Sequence, residues 1–142
     1  MVGLTTKGRY ATRLLVYLAA RQDAVPVKKQ VIAESEGITP DYVEQILIRL
    51  KAAGLVRSYR GKEGGFTLAV DPRTLTVARV LEAMEGKMSI VACLENNSCD
   101  RAASCSTRAL WGKADQALKQ VFTKTTIGEL AAAAPGKAEF TI

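Results

Sequence analysis

Apolar residues recur along this chain at the spacing of helices that bury one face. Where they fall at i, i+3, i+4 and i+7, their side chains line one side of a helix with about 3.6 residues per turn. The pattern predicts helices over residues 5–21, 28–36, 40–53, 77–85 and 106–123. The side chains predicted to face inward in the first four are Ala11, Leu14, Leu15 and Leu18; Val31 and Ile32; Val43, Ile46, Leu47 and Leu50; and Val77, Val80, Leu81 and Met84.

The third of these helices has a well-marked start. Thr39 is a good N-cap, Pro40 suits the first helical position, and Asp41 favours the positive end of the helix dipole. Two short helices joined by a tight turn form a helix-turn-helix, whose second helix is the recognition helix. The polar face of the third helix is therefore a candidate DNA-reading surface.

The pattern changes to strand-like alternation after Gly54. Residues 56–60 and 66–70 alternate, and residues 61–65 between them form a glycine-rich turn. A β-hairpin directly after a recognition helix is the wing of a winged helix-turn-helix. Its tip carries Arg60 and Lys62, which can approach a phosphate or enter a minor groove.

The last long helix has a broad apolar stripe. So broad a stripe must be buried against something, and too little chain remains to cover it. We therefore expect a second subunit to pack on it; the alternative is that the helix folds back on its own domain. The candidate dimerisation residues are Leu110, Trp111, Ala114, Leu118 and Val121.

Together these elements predict a mainly α fold with a small β-hairpin wing. Residues 1–86 are predicted to form a winged helix-turn-helix DNA-binding domain, residues 87–105 a cysteine loop, and residues 106–142 the dimerisation helix and C-terminal tail. A capping box at Thr126 and Glu129 predicts a further short helix, closed by Pro135. Residues 136–142 are predicted to be frayed.

Charge adds to this interpretation because it is concentrated in the first half. Of the net charge of +6, residues 1–75 hold 12 Lys and Arg against 7 Asp and Glu, and residues 76–142 hold 8 against 7. A basic half fits a polyanion partner, although charge alone sets only non-specific attraction. The candidate DNA contacts are Lys7, Arg9, Lys28, Thr39, Asp41, Tyr42, Glu44, Gln45, Arg49, Arg60, Gly61 and Lys62.

All three cysteines lie within thirteen residues, at Cys93, Cys99 and Cys105. They stand among polar residues, whereas a cysteine used for packing is buried among apolar ones. Clustered soft thiolates suit an iron–sulfur cluster, zinc or copper(I), and the five-residue spacers differ from the tight pairs of structural zinc sites. Arg101 and Arg108 are placed to offset the charge of a thiolate-ligated centre.

Three thiolates leave such a centre one ligand short, and the chain has no histidine. The fourth ligand must be a carboxylate such as Glu95 or Asp100, an acidic residue of a partner subunit, a small thiol, or solvent. Two alternatives stay open: a zinc site, and a metal-free switch that forms a disulfide between two of the three thiols.

Other classes of protein are disfavoured. A cysteine nucleophile needs a general base, usually histidine, so an enzyme with catalytic residues is not expected. No apolar run approaches the roughly 20 residues of a membrane span, and the N-terminus lacks the apolar core of a signal peptide. We expect a cytoplasmic protein without membrane contact, in a compartment that keeps thiols reduced.

Several motifs, in order, resemble the IscR/NsrR-like family of winged-helix iron–sulfur cluster transcriptional regulators. They are Leu4-Thr-Thr-Lys-Gly-Arg-Tyr10, Ile38-Thr-Pro-Asp-Tyr-Val-Glu-Gln45, Arg60-Gly-Lys-Glu-Gly-Gly65, the triple cysteine loop, and Cys105-Ser-Thr-Arg-Ala-Leu-Trp111. The resemblance covers about residues 3 to 131. It implies a homodimeric transcription factor that holds an iron–sulfur cluster on Cys93, Cys99 and Cys105.

The resemblance also implies roles for single residues. Asp41, Glu44 and Gln45 match recognition-helix positions that face base edges, and Arg60 and Gly61 match a wing tip that enters the minor groove. The chain departs from the family at the fourth cluster ligand. IscR-like members have a histidine where this chain has Arg108, and NsrR-like members have an aspartate where it has Gly8, so the cluster type, 2Fe–2S or 4Fe–4S, stays open.

These inferences lead to one hypothesis of function. Two winged domains insert their recognition helices into major grooves of a pseudo-palindromic double-stranded operator, about one helical turn apart. A cluster on the three cysteines sets the affinity, in response to iron–sulfur status, redox state or nitric oxide. The rival hypothesis is a metal-bound dimeric scaffold that binds an enzyme partner and not DNA.

Overall fold

The computed structural model describes residues 4–21, 23–95 and 99–134. Within them the chain forms mainly helices and one hairpin, which confirms the predicted fold class. The elements, in order, are α1 (Thr6–Ala20), α2 (Lys29–Glu36), α3 (Pro40–Ala52), β1 (Val56–Tyr59), β2 (Gly65–Leu68), α4 (Val77–Glu85), α5 (Ala92–Glu95), α6 (Arg108–Lys124) and α7 (Ile127–Ala132).

One hydrophobic core joins α1, α2, α3, α4 and α7. The apolar faces predicted for α1, α3 and α4 are buried in it. In α2 the prediction is half wrong, because Ile32 is buried but Val31 is 45% exposed. The second buried side chain of α2 is Ala33. At about 100° per residue, a face centred between Ile32 and Ala33 turns Val31 to solvent.

The wing is a two-stranded antiparallel hairpin in which Val56 pairs with Leu68 and Tyr59 with Gly65. The first strand therefore ends at Tyr59, one residue earlier than predicted, and Arg60 belongs to the turn. Val27 forms an additional bridge with Phe66 and exchanges two backbone hydrogen bonds with it, of 2.9 and 2.8 Å. The hairpin is thereby tied to the segment just before α2.

The chain returns to the core after α6. Ile127 at the start of α7 is fully buried, and its N–H donates to the Leu75 carbonyl at 2.8 Å. The predicted capping box is present: Thr126 Oγ1 accepts from the Glu129 N–H at 3.1 Å, and Glu129 accepts from the Thr126 N–H. Ile127 and Ala131 of α7 are therefore part of the core packing. Pro135 and residues 136–142 lie outside the described residues.

Helix α6 packs on α4 but buries little of its own apolar stripe. Within its described residues the buried side chain is a carboxylate, Asp115, while Leu110 and Val121 are more than half exposed. Across the described part of the chain, no helix is long and apolar enough to cross a membrane.

Candidate DNA interface and thiol segment

Helix α3 presents a polar face because its opposite face belongs to the core. The Thr39 side chain accepts from the Tyr42 N–H at 3.3 Å and caps the helix, as predicted. Asp41, Glu44 and Gln45 are exposed on the side away from the core. We call these three residues the reading face. Carboxylate and amide groups on such a face can bond cytosine N4 and adenine N6/N7 in a major groove.

One residue of the reading face, Glu44, forms an ion pair with Lys29 of α2. Lys29 Nζ lies 3.0 Å from Glu44 Oε2, and both side chains are accessible to solvent. An exposed pair of this kind contributes little to stability, about 0–1 kcal/mol. Its consequence is geometric, since it limits the directions available to the Glu44 carboxylate. Lys28, the residue before α2, is exposed.

Tyr42 and Arg49, also predicted as DNA contacts, are engaged within the chain. The Tyr42 ring meets the Tyr10 ring edge to face, with centroids 5.8 Å apart. Arg49 Nη1 donates to the Met84 carbonyl in the last turn of α4 at 2.8 Å. Arg49 therefore joins the recognition helix to the end of α4, an anchoring contact that sequence reasoning did not identify.

The predicted wing-tip contacts Arg60, Gly61 and Lys62 are all exposed. Gly61 has φ +97°, a conformation that side chains rarely adopt, so the turn requires glycine there. The Gly64 N–H donates to the Gly61 carbonyl at 3.0 Å and closes the turn. The tip thus projects two cations on a tight backbone.

Lys7 and Arg9 lie beside different elements. Lys7 lines a shallow cleft of about 290 Å³ together with Gln45 and Arg49 of α3. Arg9 borders a cavity of about 400 Å³ among α1, α4, α6 and α7, whose wall includes Val121. Of the two cations, Lys7 therefore lies close to the recognition helix.

Gly8 is buried, and the Glu85 carboxylate lies against it. A Cβ at position 8 would collide with Glu85 Oε1. The same oxygen accepts from the Thr5 N–H at 3.0 Å and from the Thr5 hydroxyl, which ties the start of α1 to the end of α4. A side chain at position 8 would therefore require the Glu85 carboxylate to move.

Residues 93–105, which we call the thiol segment, contain the three cysteines as free thiols. Cys93 lies on α5 and is half-buried, as is Cys99, while Cys105 is exposed. Residues 96–98 lie outside the described residues. Among the residues that are described, no three Cys, His, Asp or Glu side chains lie together as a metal site. Glu95 and Asp100, the predicted carboxylate ligands, are exposed.

The donor chemistry of the thiol segment fits a thiolate-bound group. Hydrogen bonds from the Thr107 side chain, 3.4 Å away, and from its backbone lower the pKa of the Cys105 thiol, with a smaller contribution from Arg108. A lowered pKa favours the thiolate, which is the form that binds metals and reacts with oxidants. Arg108 also donates to the Cys93 carbonyl at 3.4 Å, so one side chain is close to both ends of the segment.

Asp115 anchors the chain just before the thiol segment. Its Oδ1 accepts from the Ile90 N–H at 3.0 Å, and its Oδ2 lies 2.7 Å from Lys119 Nζ. Burial raises the pKa of this carboxyl, but the hydrogen bonds from Lys119 and Ile90 outweigh it and the net shift is downward. Sequence reasoning missed this role. The signal was a single carboxylate between Trp111 and Leu118 in an otherwise apolar stripe.

The predicted dimerisation residues mostly lie at the surface of the single chain. Leu110 is 56% exposed, Trp111 38% and Val121 59%, whereas Leu118 is half-buried. Ala114 is exposed as well. These side chains form an uncovered apolar surface on α6.

Comparison with known proteins finds likenesses to transcriptional regulators. The Rrf2 family model, described as an iron-dependent transcriptional regulator, matches residues 4–133. The chain is 35% identical over 127 residues to the HTH-type transcriptional regulator IscR of Escherichia coli, which covers 89% of this chain and 78% of that relative. These likenesses confirm the resemblance found in the motifs.

Solved structures with a similar fold include two regulators. CymR (YrzC), the global cysteine regulator of B. subtilis, is 33% identical with a TM-score of 0.81, over 94% of this chain and 99% of that one. IscR of T. potens is 27% identical with a TM-score of 0.75, over 99% and 97%. The chain therefore shares its winged-helix architecture with both proteins.

Proposed function

The chain belongs to the Rrf2 family of transcriptional regulators, and from this premise we propose that it is a homodimeric, sequence-specific DNA-binding regulator whose affinity is set by its three cysteines. Because the family consists of regulators, the prediction that the chain is not an enzyme is confirmed. The proposal concerns what the family name leaves open: the DNA contacts, the dimer, the thiol-bound group and its effect.

The proposed DNA contacts rest on two exposed features, which both belong to elements packed in the same hydrophobic core. The reading face of α3 is polar and accessible, and the wing tip carries Arg60 and Lys62. Lys7 lines the cleft beside Gln45, where it would meet a phosphate while the reading face meets base edges. Arg60 would enter the flanking minor groove, whose negative potential favours arginine.

The observation that carries the sensing half is the position of three free thiols between α4 and α6. We assign Cys93, Cys99 and Cys105 as ligands of an iron–sulfur cluster, with zinc as the alternative metal. When bound, such a cluster supplies an iron centre that responds to iron supply, redox state or nitric oxide. In this chain Thr107 and Arg108 stabilise the thiolate of Cys105. A carboxylate such as Glu95 or Asp100 would supply the fourth ligand.

A second subunit is proposed from the uncovered surface of α6. Leu110, Trp111 and Val121 are aliphatic or aromatic and exposed in the single chain, and the apolar cavity at Val121 extends that surface towards α1. Packing two copies through α6 would bury these side chains and fix the distance between two reading faces. The operator would then be a pseudo-palindrome.

The thiol segment reaches the reading face through a short series of contacts. Asp115 holds Ile90, and Ile90 follows the end of α4 by five residues. The last turn of α4 is bonded to α3 through Arg49 and to α1 through Glu85. A change in the thiol segment would therefore act on two of the elements that orient the recognition helix. Couplings of this kind are typically about 1–3 kcal/mol.

The experiment that tests the metal-bound state is the iron and sulfide content, with the visible spectrum, of protein purified without oxygen. We expect a coloured protein with iron and acid-labile sulfide, and a Cys93→Ser/Cys99→Ser/Cys105→Ser variant that is colourless. A colourless wild-type protein with about one zinc per chain would contradict the cluster and support the zinc alternative.

A second candidate function is a thiol regulator without metal. It is favoured by the likeness to CymR, of which an oxidised form from Staphylococcus aureus has also been solved, at 29% identity and a TM-score of 0.73. In that case two of the three thiols would form a disulfide on oxidation. Metal-free protein whose DNA affinity changes between oxidised and reduced states would support this candidate.

The rival without DNA, a dimeric scaffold for an enzyme partner, is distinguished by DNA affinity. We expect binding to random duplex that falls steeply with salt, because Lys and Arg release counterions from phosphates. No binding in any state of the cysteines would leave the scaffold as the better proposal. The cytoplasmic location and the absence of membrane contact remain parts of the proposal.

A further inference from the structure

Ile48 is the most exposed of the large apolar side chains in the described part of the chain, at 63%. It lies on α3 between two fully buried residues, Leu47 directly before it and Leu50 two residues after it. Single exposed apolar residues are common on protein surfaces and need no special reason. What distinguishes Ile48 is where on the helix it lies.

Ile48 falls inside the reading face. Asp41, Glu44, Gln45 and Ile48 occupy i, i+3, i+4 and i+7, so they share an arc of about 100° on α3. Ile48 lies within this arc and not at its edge. It also lines the cleft of about 290 Å³ whose other walls include Lys7 and Arg49. The aliphatic side chain of Ile48 thus lies among the polar residues of the reading face and close to the cations Lys7 and Arg49.

We propose that Ile48 is a specificity-determining residue that contacts the C5-methyl group of a thymine in the major groove. The inference rests on the proposed function, since it assigns one base contact of the same DNA interface. Each base pair shows a distinct pattern in the major groove, and only thymine shows a methyl group there. Burying that methyl against Ile48 favours thymine over cytosine without any hydrogen bond.

The neighbouring residues indicate where this thymine lies. Side chains at i and i+3 of a helix are about 5–6 Å apart, which corresponds to one or two base-pair steps. The methyl group read by Ile48 is therefore within two base pairs of the base that Gln45 bonds. Each half of the operator has one such thymine.

The test removes one methyl group at a time. The full-length protein is used to select its binding sites from random duplex DNA, and each thymine of the selected site is then replaced by deoxyuridine. Dissociation constants are measured for wild type, for Ile48→Ala, and for Val31→Ala as a control that truncates an exposed aliphatic side chain on α2. Circular dichroism and sedimentation check that each variant keeps its fold and oligomeric state.

We expect wild type to bind about three- to tenfold more weakly when one particular thymine in a half-site is replaced, from the loss of one buried methyl contact. Ile48→Ala should bind the unmodified site more weakly by a similar factor and show no further loss at that position. Val31→Ala should keep the wild-type profile.

Any of three results would overturn the inference while leaving the proposed function intact. One is a wild-type profile in which every deoxyuridine site binds within twofold of the parent. The second is an Ile48→Ala profile identical to that of wild type, and the third is an Ile48→Ala variant with a changed oligomeric state. A protein that selects no DNA in any state of its cysteines would instead remove the proposed function, and the inference with it.

Discussion

Helix α3 and the thiol segment are held in different ways. Four core side chains, an N-cap and the Arg49 contact to Met84 fix α3. Polar contacts hold the described part of the thiol segment and its approach, among them the Asp115 bond to Ile90, the Arg108 bond to Cys93 and the Thr107 contact with Cys105. Its three cysteines are half-buried or exposed. In the proposed regulator the surface that reads DNA is fixed by core packing, whereas the cysteines that receive the signal are accessible to solvent.

The largest effect expected from this difference is the loss of a core side chain behind the reading face. Leu47→Ala should lower the free energy of unfolding by about 2–5 kcal/mol, because Leu47 is fully buried and the truncation leaves a cavity. Urea denaturation measures it. The adjacent Ile48→Ala is the control and should change stability by no more than about 0.5 kcal/mol, since a surface substitution leaves no cavity. Equal losses in both variants would mean that α3 is not packed as described.

A smaller effect is expected at the anchor of the thiol segment. Asp115→Ala removes the acceptor of the Ile90 N–H and should cost about 1.5–3 kcal/mol, the range for hydrogen bonds to charged groups. Hydrogen exchange should become faster at Ile90, while the amides of α3 remain protected. Loss of protection in α3 to the same degree would contradict the separation of the two regions.

The same carboxylate gives a pH dependence of defined sign. Since its pKa is lowered in the folded state, Asp115 contributes stability in full above its unfolded value of 3.8 and loses it as the pH falls through the folded value. The stability difference between wild type and Asp115→Ala should therefore be constant from pH 7 to 5 and shrink below pH 4. A difference that grows on acidification has the wrong sign for this account.

The smallest effect is expected at the cap of α3. Thr39→Ala should destabilise by about 1 kcal/mol, because the side chain that accepts from the Tyr42 N–H is lost. Thr39→Ser keeps the hydroxyl and serves as the matched control. If both variants lose the same stability in thermal unfolding, the cap contributes nothing.

The two regions also differ in how far sequence alone predicts them. The start, the buried face and the exposed face of α3 follow from signals within about a dozen residues, and all are present in the structure. The Arg49–Met84 and Asp115–Ile90 bonds join positions 35 and 25 residues apart, so no local pattern reveals them. Val31 was predicted inward because a short helix carries too few apolar residues to define its buried face.

The thiol segment was predicted as a cysteine cluster by residue type and spacing alone. Its spacing does not determine which side chains approach Cys93 or Cys105, and both Thr107 and Arg108 act through contacts that only the fold creates. The exposed stripe on α6 was predicted from its pattern. The carboxylate buried within that stripe was not, because its partner Ile90 comes from a different part of the chain.

The central claim is that the state of Cys93, Cys99 and Cys105 sets the affinity for DNA. The most direct measurement is the dissociation constant for one selected duplex, determined at fixed salt before and after iron is removed from the same anaerobic preparation. We predict a change of about 5- to 150-fold, the usual range of such couplings, and no change in the variant with all three cysteines replaced by serine. The same dissociation constant with and without iron would contradict the claim.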